Sequence, residues 1–196
     1  MLGLTPNEAA VVDYLARNFQ EKNSINALAK RLALSPNGTH KILKKLESAK
    51  IVKPEKLANA VFYRLDLSIE TSRKLVEYVL SQHQLSAYAR VQEEDLLQLR
   101  QHALAGILFG SVLTKDKEAR DIDILIVLNK KDLANVMGTV AKIQNLKTKR
   151  LHALYQTPQD LNDNLRRRNK VVLGILKTGK VLWGADIFVE ALRTCS

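Results

Sequence analysis

The chain has 196 residues, 46% of them hydrophobic and 26% charged, with thirty-one Lys and Arg against twenty Asp and Glu and a formal charge of +11. Its length and composition suit one large or two small folded domains and exclude an acidic disordered chain, while a single cysteine, Cys195, excludes a disulfide scaffold and a cysteine-based zinc module. No apolar run reaches the roughly eighteen residues a membrane span needs, and MLGLTPNEAA has no basic-then-apolar leader, so the expected compartment is the cytoplasm and the first partner to test is a polyanion.

Thr5-Pro6-Asn7-Glu8 reads as a capping box with proline at the first helical position. Val11, Val12, Leu15 and Phe19 follow at helical spacing. Asn23-Ser24 caps a second helix through Ile25, Leu28, Ala29 and Leu32. Leu34-Ser35-Pro36-Asn37 turns into a third, roughly 36–49, with Thr39, Ile42, Leu43 and Leu46 as its apolar face. Two β-prone runs, Ile51-Val52 and Ala60 to Leu65, form a hairpin. Residues 68–101 lack Pro and Gly and read as one or two helices, a connector rather than a tether. From Gly106 the period changes. Ile107-Leu108-Phe109 is a short buried strand, Ile122 to Leu128 a second and Leu151 to Tyr155 a third, with helices over 131–145, 158–168, 169–178 and after Gly184. Trp183 and Tyr155 read as core. The mixed order predicts an α+β second domain.

Three helices and a hairpin resemble a winged helix-turn-helix over residues 5–66. Ile25 to Pro36 matches that family's second helix and turn, and Leu43 to Lys53 its third helix and the start of its wing. The family often has glycine where this chain has Lys50, and the wing tip Lys56-Leu57-Ala58-Asn59 also lacks one. Burying the apolar face of the third helix leaves Asn37, His40, Lys41, Lys44 and Lys45 outside. Asn37, His40 and Lys41 then suit base edges of double-stranded DNA in the major groove; Lys44, Lys45, Lys53, Lys56 and Arg64 suit phosphates. The plainer alternative is a solvated helix face on a protein-binding winged helix.

Phe109-Gly110-Ser111, nine residues, then Asp121-Ile122-Asp123 is the densest chemistry in the chain. Carboxylates two apart on a strand share a face and offer hard oxygens to Mg²⁺; Gly-Ser at a strand end offers amides and a hydroxyl to phosphate. A carboxylate-held metal pair can clamp both oxygens of a phosphoryl displacement. This pattern resembles the nucleotidyltransferase superfamily that includes DNA polymerase β and kanamycin nucleotidyltransferase, over about 100–190. The whole chain resembles small fusions, often archaeal, of a winged helix to a minimal nucleotidyltransferase. The resemblance implies that Gly110 and Ser111 hold a nucleoside triphosphate and that Asp121 and Asp123 are catalytic and ligate magnesium. Relatives supply a third carboxylate from a later strand, where this chain has His152; Asp160 and Asp163 lie just beyond. Arg120, where many relatives have Ser, can pair with the carboxylates or bind phosphate.

The expected organisation is a winged helix at 1–66, a helical connector at 67–99 and a nucleotidyltransferase-like mixed sheet with flanking helices at 100–196. Three functions fit. One is a DNA-binding regulator whose second domain binds nucleotide and turns over weakly or not at all. Another is an enzyme moving a nucleoside monophosphate to a protein, RNA or small molecule, as an antitoxin modifying its toxin does. The third is a non-catalytic assembly module. Residues 68–99 carry enough apolar surface for a homodimer seam, and packing on their own domains uses it equally well. Arg166-Arg167-Arg168 with Lys170 reads as a solvated basic face or a hold for a nucleotide tail or RNA backbone.

Overall fold

A computed structural model describes residues 3–195, which divide into two units after Val79. In the first, the Thr5 hydroxyl accepts from the Glu8 amide at 3.3 Å and the Glu8 carboxylate accepts from the Thr5 amide at 2.9 Å. Both halves of the capping box are therefore filled at the start of α1 (Pro6–Arg17). A two-residue strand, β1 (Asn23–Ser24), leads into α2 (Ile25–Arg31), which Ser24 caps. The turn to α3 (Pro36–Ser48) ends on Ser35, whose hydroxyl accepts from the Gly38 amide at 3.1 Å. The hairpin β2 (Val52–Leu57) and β3 (Ala60–Leu65) follows. β3 lies between β1 and β2, antiparallel to both. Three helices with this hairpin and a short first strand make a winged helix.

Its core is the one the periodicity predicts. Val11, Val12, Leu15, Leu28, Leu43 and Leu46 are buried, and so is Thr39. The two positions lacking the expected glycine keep the backbone shape without it: Lys50 has φ 58° and Ala58 φ 50°. α4 (Glu70–Ser81) then packs back, with the Ser72 hydroxyl donating to the Ile51 carbonyl at 3.1 Å. The division between the units falls inside this helix. The Gly- and Pro-free stretch is not one continuous helix, because residues 82–86 leave the helical path before Ser86 caps α5 (Ala87–Leu96).

The second unit is a four-stranded mixed sheet. Its strands are β4 (Ala105–Phe109), β5 (Asp121–Val127), β6 (Arg150–Gln156) and β7 (Lys180–Trp183), in the order β6-β5-β4-β7. β5 is antiparallel to β4 and parallel to β6. One face buries Leu108, Ile122, Ile124 and Ile126 against Leu96, Leu99 and the helix α6 (Leu133–Asn145), through Val136 and Ile143. α7 (Pro158–Arg166), α8 (Lys170–Thr178) and α9 (Ala185–Cys195) form the other layer. Ile107, on that second face, lies against Gly179 at the end of α8. Trp183 packs flat on Gly106, leaving no room there for a Cβ, and its indole N–H donates to the Ala103 carbonyl at 3.2 Å. Tyr155 departs from the expected core role: it is 38% exposed. Among the described residues no helix is long and apolar enough to cross a membrane.

Two stability predictions come from the first unit. The Glu8 carboxylate is buried, which alone would raise its pKa; the Lys45 ammonium at 2.8 Å and the Thr5 amide outweigh that and hold it below the ordinary value. A carboxylate lowered in the fold contributes stability above its unfolded pKa and loses it as pH falls through the folded one. Glu8→Gln keeps the capping box. It should cost about 1 kcal/mol at pH 7 and nothing near pH 2, so urea midpoints of the two proteins converge on acidification. Lys50→Gly relieves a left-handed side chain and should raise stability by about 0.5 kcal/mol by the same measurement, after the flexibility glycine adds to the unfolded chain.

Candidate functional sites

Capping and the buried Thr39, Leu43 and Leu46 fix which way α3 faces. Asn37, His40, Lys41, Lys44 and Lys45 all stand in solvent, as the pattern predicts. The structure then separates cations the sequence could not. Lys44 pairs with Glu47 at 2.9 Å, Lys45 with Glu8 at 2.8 Å and Lys53 with Asp66 at 2.9 Å. Arg64 lies 3.7 Å from Glu55, a charge contact too long for a hydrogen bond. The Ser68 hydroxyl first, and Lys53 second, hold the Asp66 carboxyl below its usual range despite partial burial. Among the described residues Lys41 and Lys56 have no carboxylate partner. Sequence reasoning passed over Lys30, Arg31 and Lys50, which are likewise exposed and unpaired with acids. Their place on the second helix and at the left-handed turn after the third was the available signal.

In the second unit the apolar side chains of β5 set the geometry. Ile122, Ile124 and Ile126 go into the core, so Asp121 and Asp123 lie on the opposite face, half-buried at the start of the strand. Asp123 stands beside Phe109 on β4 and beside His152 on β6; Asp121 stands beside Arg150. Gly110 has φ 80°, and a Cβ on it would overlap the Asp123 carboxylate. Gly110 also opens a single 3-10 turn through Leu113 rather than a full helix. Ser111 sits half-buried in that turn, its carbonyl accepting from the Thr114 and Lys115 amides at 3.1 and 2.7 Å. Gly110 and Asp123 are thus in contact, although thirteen positions separate them in the chain.

His152 Nδ1 lies 3.2 Å from Asp123 Oδ1. A carboxylate can only accept, so the ring carries its proton on Nδ1 in this pair. Neither later acid folds back towards the site. Asp160 closes the capping box of α7 on its N-cap Thr157, accepting from the Thr157 amide at 2.9 Å and hydroxyl at 2.7 Å. The Thr157 hydroxyl, then its amide, hold that carboxyl below its usual range. Asp163 accepts from the Gln159 side chain at 3.1 Å. Arg120 is exposed beside Asp121. The residue that sequence reasoning missed is Arg150, on the same face as His152. Alternation along the strand, two residues before His152, would have found it.

Asp121 and Asp123 supply the oxygen donors Mg²⁺ prefers, and the donor set fits one such ion carried with a phosphate. They are the residues that would hold it. Among the described residues no group of three or more His, Cys, Asp or Glu gathers as a metal cage.

Comparison with known proteins comes out unevenly across the chain. No curated protein matches it. MepR, a transcription regulator of the Staphylococcus aureus multidrug efflux pump MepA, is 16% identical over 74% of this chain and 81% of its own, with a TM-score of 0.36. A point variant of ZitR from Lactococcus lactis is 17% identical over 72% and 75%, with a TM-score of 0.33. Likeness at that level carries no argument. Residues 92–187, from α5 into α9 and including the Gly110 turn, both aspartates and His152, match the family described as Polymerase beta, Nucleotidyltransferase.

Proposed function

We propose that the chain is a DNA-binding regulator whose second unit binds a nucleoside triphosphate with Mg²⁺ and transfers from it slowly or not at all. Asn37, His40 and Lys41 stand at the first turns of α3, where a winged helix reads base edges, and Lys41 and Lys56 are free to take phosphates. Gly110, Ser111 and Arg120 hold the triphosphate. Asp121 and Asp123 hold the cation. The DNA-binding unit spans 1–66, the connector 67–99 and the nucleotide-binding unit 100–196, and the protein acts in the cytoplasm as a homodimer of the archaeal type of fusion.

One observation carries the weak-transfer reading: the residue beside Asp123 on β6 is His152, not a carboxylate. Fast nucleotidyl transfer needs an acceptor hydroxyl deprotonated and held in line with the α-phosphorus. A bond forms from the acceptor oxygen to that phosphorus, the bond to pyrophosphate breaks, and the hydroxyl proton leaves. A neutral imidazole does not replace an anionic oxygen ligand for magnesium at that step. The intact Gly110-Ser111 turn and Asp121-Ile122-Asp123 strand support a second reading, transfer to a protein, RNA or small-molecule acceptor that completes the site.

Two measurements test this. Lys41→Ala should weaken double-stranded DNA binding for all sequences alike and lower the slope of log affinity against log salt by about 1. Lys45→Ala should act mainly on stability, since that ammonium is committed to Glu8. Salt-independent binding, or none, would remove the DNA reading. The four labelled nucleoside triphosphates with Mg²⁺, with and without cell extract, should bind yet give little labelled product. Gly110→Ala should weaken binding about tenfold or more by pushing the Asp123 carboxylate aside. Rapid labelling dependent on Asp121 would establish the second reading instead.

A further inference from the structure

We infer that the Asp121–Asp123 site takes a single divalent cation with its nucleotide, and that His152, with Arg150 beside it, excludes a second. The inference rests on the nucleotide-binding reading and deepens it. Asp123 is engaged through one oxygen. Oδ1 pairs with the His152 ring at 3.2 Å, and Oδ2 stands over Gly110 where a Cβ would meet it. The neighbours that β6 gives the pair are Arg150 beside Asp121 and His152 beside Asp123. Neither is an oxygen donor. The nearest acids in the chain after them, Asp160 and Asp163, are engaged on α7 by Thr157 and Gln159.

The ligands that the protein adds decide the count. The triphosphate brings its own negative charge, and the two carboxylates serve one dication beside it. A second would face the other across a half-buried site where β6 adds no anionic ligand among the described residues, beside the His152 ring at Asp123 and with the cationic Arg150 in register with Asp121. Octahedral magnesium asks for oxygens, and the two β6 residues in register with the aspartates supply none. The nucleotide phosphates complete the shell of the one ion. His152 is in this sense a positioning residue: it orients Asp123 and occupies the ground a second ion needs.

The test counts ions without relying on turnover. Mn²⁺ replaces Mg²⁺, and full-length protein is titrated with the α,β-methylene analogue of each of the four ribonucleoside triphosphates. Bound Mn²⁺ is read by electron paramagnetic resonance. The wild type should hold about one Mn²⁺ per bound nucleotide, and His152→Asp about two, because it restores an anionic oxygen. His152→Asn, neutral and still able to donate to Asp123, should stay at about one. Two ions per nucleotide in the wild type would overturn the inference and leave the nucleotide-binding reading standing. So would His152→Asp remaining at one while folded. Failure of every analogue to bind would overturn both. If circular dichroism shows His152→Asp unfolded, the wild-type and His152→Asn counts decide.

Discussion

The site of the second unit depends on one close approach, the Asp123 carboxylate against the backbone of Gly110. It exists because β4 and β5 pair with Phe109 opposite Asp123, so the chain turns sharply at the next residue and lays its bare Cα on the carboxylate. Nothing in the turn itself enforces that pairing. The opposite face does: Leu108, Ile122, Ile124 and Ile126 are essentially without exposure and lock the register from beneath. A slip of one residue would drive both aspartates into that core and turn the three isoleucines out of it onto the face of the aspartates. Burying unpaired carboxylates costs several kcal/mol each, far more than any site contact returns. The hydrophobic core, not the site, therefore places the site.

The same register explains why one half of this chemistry was legible in the sequence and the other was not. Asp-Ile-Asp within an apolar run declares its own geometry through the period of two, and Gly-Ser before it declares a turn. What stands beside the aspartates is a matter of strand pairing, which no local pattern encodes. His152 could be aligned by resemblance and alternation sets Arg150 on its face, but that Arg150 stands beside Asp121 is visible only in the strand register. Local chemistry likewise foretold the helix starts at Thr5, Ser24 and Ser35, because a cap is satisfied within three residues of itself. The break at 82–86 has no proline or glycine to announce it. Ser86, capping Ala89 at 3.1 Å, was its one signal. At Lys50 the expected glycine is missing yet the left-handed turn is kept, because Leu46, Ile51 and Val52 are buried on either side and over-determine the backbone between them.

Charge was the most misleading quantity at the level of composition. A formal +11 suggests cations in plenty for a polyanion. In the winged helix a good part of them is already engaged: Arg17 with Asp13, Lys44 with Glu47, Lys45 with Glu8, Lys53 with Asp66. Those partners lie four, three, thirty-seven and thirteen residues away, and only the first two are visible as helix spacing.

Being paired does not remove a cation from the binding face; burial of its partner does. Lys44 and Glu47 meet at the surface, where water and salt screen an ion pair, so a phosphate can take the lysine at little cost to the fold. Lys45 meets a carboxylate whose side chain is only 7% exposed. Taking that lysine away leaves a desolvated anion at the head of α1, with the Thr5 amide left to hold it. Two adjacent lysines on one helix face therefore belong to different parts of the protein. Lys44 stays with the surface that a nucleic acid would meet, and Lys45 works as a clasp between α3 and α1. The footprint available to DNA is set less by how many cations the sequence counts than by how deeply their partners are buried.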